Sequence, residues 1–165
     1  IAGLPMQLML KHVSTFKGLP HRCEYVGACA GIAFYNDSKG TNVGAAVAAL
    51  QGLQPENGKV VLIAGGEGKG ADFAPLADAV RAHARAVVLI GRDSAVIADA
   101  ISGAVDVVFA VSMASAVDAA LELAETGDVV LLSPACASFD MFRDFEDRGE
   151  QFTRLVSALE GFTNA

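Results

Sequence analysis

The chain has 165 residues, 53% of them apolar and 19% charged, with a formal net charge of −7. That length suits one domain, or one domain with a fragment of another, and the apolar share excludes intrinsic disorder. The acidic balance argues against general nucleic-acid binding, which needs a basic footprint, but leaves room for a locally cationic pocket that takes a small anion.

Cys23, Cys29 and Cys136 are odd in number and lack metal-ligand spacing, so the sequence predicts a reduced, cytoplasmic protein and no metal site. No apolar run approaches the ~18 residues of a membrane span, and no signal-peptide pattern opens the chain. No membrane insertion is expected. Ile1-Ala2-Gly3-Leu4-Pro5 reads as mid-protein sequence.

In chain order, residues 6–17 read as a short helix, with Leu8, Met9, Val13 and Phe16 at helical spacing, Pro5 before its first turn and Gly18 as its stop. Gly18-Leu19-Pro20 reads as a linker. Two strand-like runs follow, Cys23 to Cys29 and Ile32 to Tyr35, and Ala30-Gly31 between them predicts a hairpin. After a polar cluster at 36–42, Val43 to Leu53 reads as an alanine-rich helix. From Lys59 the alternation is regular. Strands are expected at 59–64, 86–90, 106–109 and 128–132, and helices at 74–83, 94–102 and 113–125, the last capped by Ser112. A final amphipathic helix runs from about Glu146 to Leu159, with Phe152, Leu155, Val156 and Leu159 inward. The later strands are almost continuously apolar, as in strands covered on both faces. The expected fold is therefore α/β and Rossmann-like: a mostly parallel sheet, helices on both faces, and an N-terminal β-hairpin.

Three loops end strands in this pattern. Gly65-Gly66-Glu67-Gly68-Lys69-Gly70-Ala71-Asp72-Phe73 follows an apolar strand and precedes a helix, where open α/β sheets place ligands. It is a poor phosphate loop, because Gly68-Lys69 is followed by Gly70 and no Ser or Thr stands there to hold Mg²⁺. It is also a poor dinucleotide fingerprint: Ala71 replaces the third glycine, and the nearest acidic partner is in Gly91-Arg92-Asp93. Lys69 at such a loop more simply binds a carboxylate, although a solvated lysine on a glycine turn fits the same residues. Asn36-Asp37-Ser38-Lys39-Gly40-Thr41-Asn42 offers an acceptor, hydroxyls and a cation, yet Asp, Ser and Thr also cap helices constantly. Ser133-Pro134-Ala135-Cys136-Ala137-Ser138 could present hydroxyls and N–H groups to an anion. Cys136 has no histidine placed to activate it and reads as a small buried thiol.

With Gly18-Leu19-Pro20-His21-Arg22 and the Phe139-Asp140 that extends the third loop, these stretches together resemble the C-terminal part of a Mur ligase, over nearly the whole chain and in order. Gly-Gly-x-Gly-Lys-x-x-Asp-Phe is similar to the branch of that family that adds D-glutamate to UDP-N-acetylmuramoyl-L-alanine. Gly40 and Phe139 depart from some members, which have alanine and leucine there. The resemblance implies an ATP- and Mg²⁺-dependent enzyme that activates a carboxylate as an acyl phosphate, which the amino acid's amine attacks. It implies that residues 1–20 are the tail of a central ATPase domain with its linker, that 21–165 are a Rossmann-like amino-acid-binding domain, and that the protein is a monomer. By the same resemblance Lys39 is the catalytic motif lysine; Thr41, Lys69, Ser138 and Phe145 form the D-glutamate pocket; Arg22 and Asp37 reach the nucleotide. The phosphate loop and metal ligands of the ATPase are not in this sequence, so the chain alone is expected to be inactive. The competing readings are a stand-alone Rossmann-type nucleotide-binding module and a related ligase for another amino acid.

Overall fold

The computed structural model describes residues 5–7, 9–10 and 18–165. Of the helix expected at 6–17, Met6-Gln7 and Met9-Leu10 are helical; the rest lies outside the described residues.

β1 (Glu24–Cys29) and β2 (Ile32–Asn36) form the expected hairpin, closed with Cys29 opposite Ile32. A two-residue turn that follows the twist of its strands needs positive φ at both positions. Ala30 at 52° and Gly31 at 78° supply it. Then come α1 (Val43–Gly52), β3 (Val60–Gly65), α2 (Ala74–His83), β4 (Ala84–Ile90), α3 (Ser94–Ala100), β5 (Asp106–Phe109), α4 (Met113–Leu123), β6 (Val129–Leu132) and α5 (Phe145–Ser157). A two-residue β7 (Thr163–Asn164) ends the order and was not expected from the sequence.

The strands make one sheet, ordered β5-β4-β3-β6-β2-β1-β7. β5, β4, β3, β6 and β2 are parallel, and β1 and β7 add antiparallel pairs at one edge. Alternate residues of β3 go to opposite sides, as the pleat requires. Val60, Leu62 and Ala64 pack with Leu50, Leu76, Val80 and Ile97 from α1, α2 and α3. Val61 and Ile63 pack with Met113, Val117, Phe152 and Val156 from α4 and α5. Helices thus cover both faces, which is why β3 and β6 are apolar without alternation.

Asp128 anchors the edge of the sheet opposite the three loops. It accepts from the backbone N–H of Lys59 at 2.8 Å and of Glu125 at 2.9 Å, and from the Arg85 guanidinium, joining the starts of β3, β4 and β6. Burial pushes its carboxyl up, but the Arg85 hydrogen bond, those N–H groups and the Arg85 charge together hold it below the usual range. A carboxyl depressed in the folded state contributes stability that is complete above its ordinary value of about 3.9 and is lost as pH falls through the lower folded value. Asp128→Ala should cost about 2–3 kcal/mol, discounted because Arg85 keeps some solvent access. Urea unfolding at pH 7 and pH 3 checks it: the gap between wild type and variant must narrow at the lower pH.

Candidate functional site

β3 and β6 are neighbours but not consecutive, and from this junction the chain winds outward in both directions. Ligands of open α/β sheets bind at such a switch point, beyond the carboxyl ends of the strands. The loops after β2, β3 and β6 all leave from that edge.

The glycine loop can lie this close to its neighbours only because it lacks Cβ atoms. Gly65 and Gly66 have φ of 115° and 130°, and a Cβ on either would strike the carbonyl oxygen of Ile90 or Ala137. Glu67 and Ala137 then pair through two backbone hydrogen bonds of 3.0 Å, which join the second and third loops. In the first loop, Asn42 caps α1 by accepting from the Ala45 N–H at 3.0 Å. The capping explanation for that cluster is therefore taken by Asn42, and Asp37, Ser38 and Thr41 do other things.

Lys39, Thr41, Lys69, Ser138 and Phe145 line one cavity of about 350 Å³, with Ala137, Phe139, Asp144 and Glu146 completing its wall. Its size falls at the lower end of small-molecule sites. The Lys39 ammonium sits 3.6 Å from the centre of the Phe145 ring, and that of Lys69 lies 5.3 Å from the Phe139 ring. Aromatic faces attract cations and so hold both ammoniums at the wall. Lys69 has φ of 53°, an unusual conformation for a residue with a side chain. Two cations and two hydroxyls stand across the cavity from the carboxylates of Asp144 and Glu146 at the start of α5, a pairing of charges that suits a small amino acid with both carboxylates and an ammonium.

Arg22 and Asp37 are not in this cavity. Asp37 borders a separate hollow of about 290 Å³ with Cys23 and α1, and Arg22 is exposed beside it. Asp37 accepts from the Ser133 hydroxyl at 2.7 Å and from the Cys23 N–H at 3.1 Å. Burial pushes its carboxyl above the usual range; those bonds and the Arg22 charge oppose the shift without cancelling it. Cys136 is buried, and burial pushes its thiol up to about 12, so it is an inert thiol at neutral pH, as read from the sequence.

Arg148 was missed. Its side chain is 0% exposed, and among the described residues no carboxylate is within ion-pair distance of it. Nε donates to the Ser38 hydroxyl at 3.0 Å, Nη2 to the Ser38 carbonyl at 2.8 Å and Nη1 to the Cys136 carbonyl at 3.1 Å. The Ser38 hydroxyl in turn donates to the Phe145 carbonyl at 2.7 Å. One guanidinium thus ties the first loop, the third loop and α5 together under the cavity. Burial pulls its pKa down to about 10, which leaves it charged at neutral pH. A larger hollow of about 530 Å³ lies at 91–94, 109–111 and 140–141. It is rimmed by exposed Phe109 and Val111, and its one cation, Arg92, is paired with Glu67, so it has less to offer an anion.

Residues 21–136 match the family model described as Mur ligase, glutamate ligase domain. The chain belongs to that family. The Mur ligase domain is 60% identical over 158 residues to the UDP-N-acetylmuramoylalanine–D-glutamate ligase of Marinobacter nauticus, covering 96% of this chain and 35% of that protein. It is 52% identical to the ligase of the same name from Pseudomonas aeruginosa, over 95% of this chain and 35% of that protein. The chain thus spans about a third of the length of these curated relatives. Among solved structures it resembles a UDP-N-acetylmuramate-alanine ligase from Thermotoga maritima, with a TM-score of 0.66 at 19% identity, covering 92% of this chain and 33% of that one. A murein peptide ligase from Psychrobacter arcticus gives 0.61 at 14% identity, over 95% of this chain and 34% of that one. At these identities the structures establish the fold, and it is the Rossmann-like α/β fold expected. Among the described residues of the Mur ligase domain, no helix is long and apolar enough to cross a membrane.

Proposed function

We propose that this chain is the D-glutamate-binding, C-terminal domain of an ATP-dependent ligase that joins D-glutamate to UDP-N-acetylmuramoyl-L-alanine. The observation that carries this is the cavity that gathers Lys39, Lys69, Thr41, Ser138 and Phe145 at the switch point of a domain whose relatives bear that name. In this reading residues 1–20 are the tail and linker of a central ATPase domain, and 21–165 the amino-acid-binding domain. Lys69 pairs with one carboxylate of D-glutamate, and Thr41 and Ser138 donate to the carboxylates. The Phe145 end of α5 closes the far side, where the carboxylates of Asp144 and Glu146 can face the amino group of the amino acid. Lys39, held against Phe145, faces the reacting end. The amine attacks the acyl carbon of the other substrate's acyl phosphate, forming the C–N bond as the C–O bond to phosphate breaks, and the proton the amine loses passes to the departing phosphate or to solvent. ATP supplies the phosphoryl group, and Arg22 and Asp37 face the nucleotide across the domain boundary. The domain acts as a cytoplasmic monomer.

Titration of D-glutamate into the chain, followed by backbone amide shifts, tests the reading. Shifts are expected at Thr41, Lys69, Ser138 and Phe145. Shifts confined to the hollow at 91–94 and 109–111, or none at millimolar ligand, would refute it. The chain alone should not turn over ATP above a heat-killed control, because phosphoryl transfer needs a positioned Mg²⁺ and a lysine cradle. Steady phosphate release that tracks the protein through purification would overturn that expectation.

A further inference from the structure

The Gly91-Arg92-Asp93 turn between β4 and α3 stands where a dinucleotide-binding fold carries its ribose-reading acid. It does something else. Asp93 occupies the N-cap of α3, yet its side chain caps no N–H of that helix. An aspartate there ordinarily bonds the N–H two or three residues on. Instead its Oδ2 accepts from the Gly68 N–H at 2.7 Å, and its own N–H donates to the Gly66 carbonyl at 3.0 Å. Arg92 holds the residue between them, with Nη1 donating to Glu67 Oε1 at 2.9 Å. The Arg92 N–H is itself fixed by Asp140 Oδ2 at 2.7 Å. Gly66, Glu67 and Gly68 are therefore each gripped from outside, and the next residue is Lys69 at φ of 53°. A non-glycine residue in that region persists where its surroundings over-determine it.

We infer that Asp93 is a positioning residue for Lys69: by holding the Gly68 N–H it fixes the loop conformation that aims the Lys69 ammonium into the amino-acid cavity. This rests on the reading of that cavity as the glutamate site. Asp93 touches no substrate, and its effect runs through Lys69.

The test is a double-mutant cycle in the full-length ligase, with wild type, Asp93→Ala, Lys69→Ala and the double variant. Glutamate and ATP kinetics are measured for each. Asp93→Ala is expected to raise the glutamate KM about tenfold, the scale of one lost bond to a charged group, at unchanged ATP KM. Asp93→Asn keeps an acceptor oxygen in the same place and should recover most of the loss. In the Lys69→Ala background, Asp93→Ala should cost almost nothing further, since residues that act through one another are not additive. If Asp93→Ala does not fold, Asp93→Ser replaces it. Its hydroxyl can cap α3 but is too short to reach Gly68, so it separates helix capping from the cross-loop bond. Additive losses, an unchanged glutamate KM, or a loss shared equally by glutamate and ATP would overturn the positioning role. A Lys69→Ala variant with unaltered glutamate kinetics would remove the cavity reading and this inference together. A Lys69→Ala loss with additive Asp93 removes only the inference.

Discussion

Arg148→Met should lower the stability of the domain by about 2–4 kcal/mol. Three buried acceptors, the Ser38 hydroxyl and the Ser38 and Cys136 carbonyls, lose charged donors at 3.0, 2.8 and 3.1 Å. Each stranded acceptor costs roughly 1–3 kcal/mol. Against this stands relief of the guanidinium's own burial cost, which is several kcal/mol for an unpaired ion. The losses win because the acceptors stay buried: Ser38 is 0% exposed and Cys136 1%. For a chain of this length each kcal/mol moves the midpoint roughly 2–4 °C, so the melting temperature should fall by about 4–16 °C. Arg148→Lys should recover less than half, because one ammonium cannot span three acceptors that a planar fork reaches at once. Thermal unfolding of the three proteins decides it. A midpoint for Arg148→Met at or above wild type would mean that the burial cost dominates and that the clamp contributes no stability.

That residue also shows where the sequence runs out as a guide. The sheet was legible because burial on both faces forces continuous apolar strands, and Val60-Val61-Leu62-Ile63 is short, rich in β-branched residues and followed by a glycine loop, which favours a strand over a helix. The three loops were legible because glycine and small polar residues cluster at strand ends, and the cavity confirms that they meet. Arg148 was hidden inside Glu146-Asp147-Arg148-Gly149-Glu150, which reads as a solvated face. The available signal was its spacing: Arg148 stands four residues before Phe152 and eight before Val156, on the inward stripe of α5. Asp93 stood out only as an acid at the end of the strand after the glycine loop, which says nothing of what it bonds. Its partner is Gly68, and a bond between a carboxylate and a backbone N–H 25 residues away leaves no mark on periodicity or composition. β7 is two residues long and exists only because it pairs with Gly27 and Ala28 of β1, so no local pattern announces it. Asp37 borders a different hollow from the other expected site residues, with Arg22 exposed beside it, a separation that spacing along the chain does not reveal.

Lys69→Ala in the full-length ligase should weaken glutamate use by roughly 10- to 150-fold in kcat/KM, from about 1.5–3 kcal/mol for a charged hydrogen bond at 1.4 kcal/mol per tenfold. Nucleotide and UDP-sugar KM values should change little, because no part of Lys69 faces either in the proposed arrangement. Lys69→Arg should restore only part of the loss, since a bulkier planar fork replaces a compact ammonium. The backbone adds a further control. Lys69 has φ of 53°, which alanine tolerates poorly and glycine does not mind. Lys69→Gly should therefore lose glutamate use as completely as Lys69→Ala while being more stable by about 0.5–1 kcal/mol. If the alanine variant fails only because its loop has shifted, the glycine variant should regain activity, and the ammonium is not what binds the carboxylate. If both keep wild-type kcat/KM for glutamate, Lys69 is a surface lysine on a glycine turn. Equal loss in both, with ATP kinetics intact, leaves the ammonium as the group that holds the amino acid.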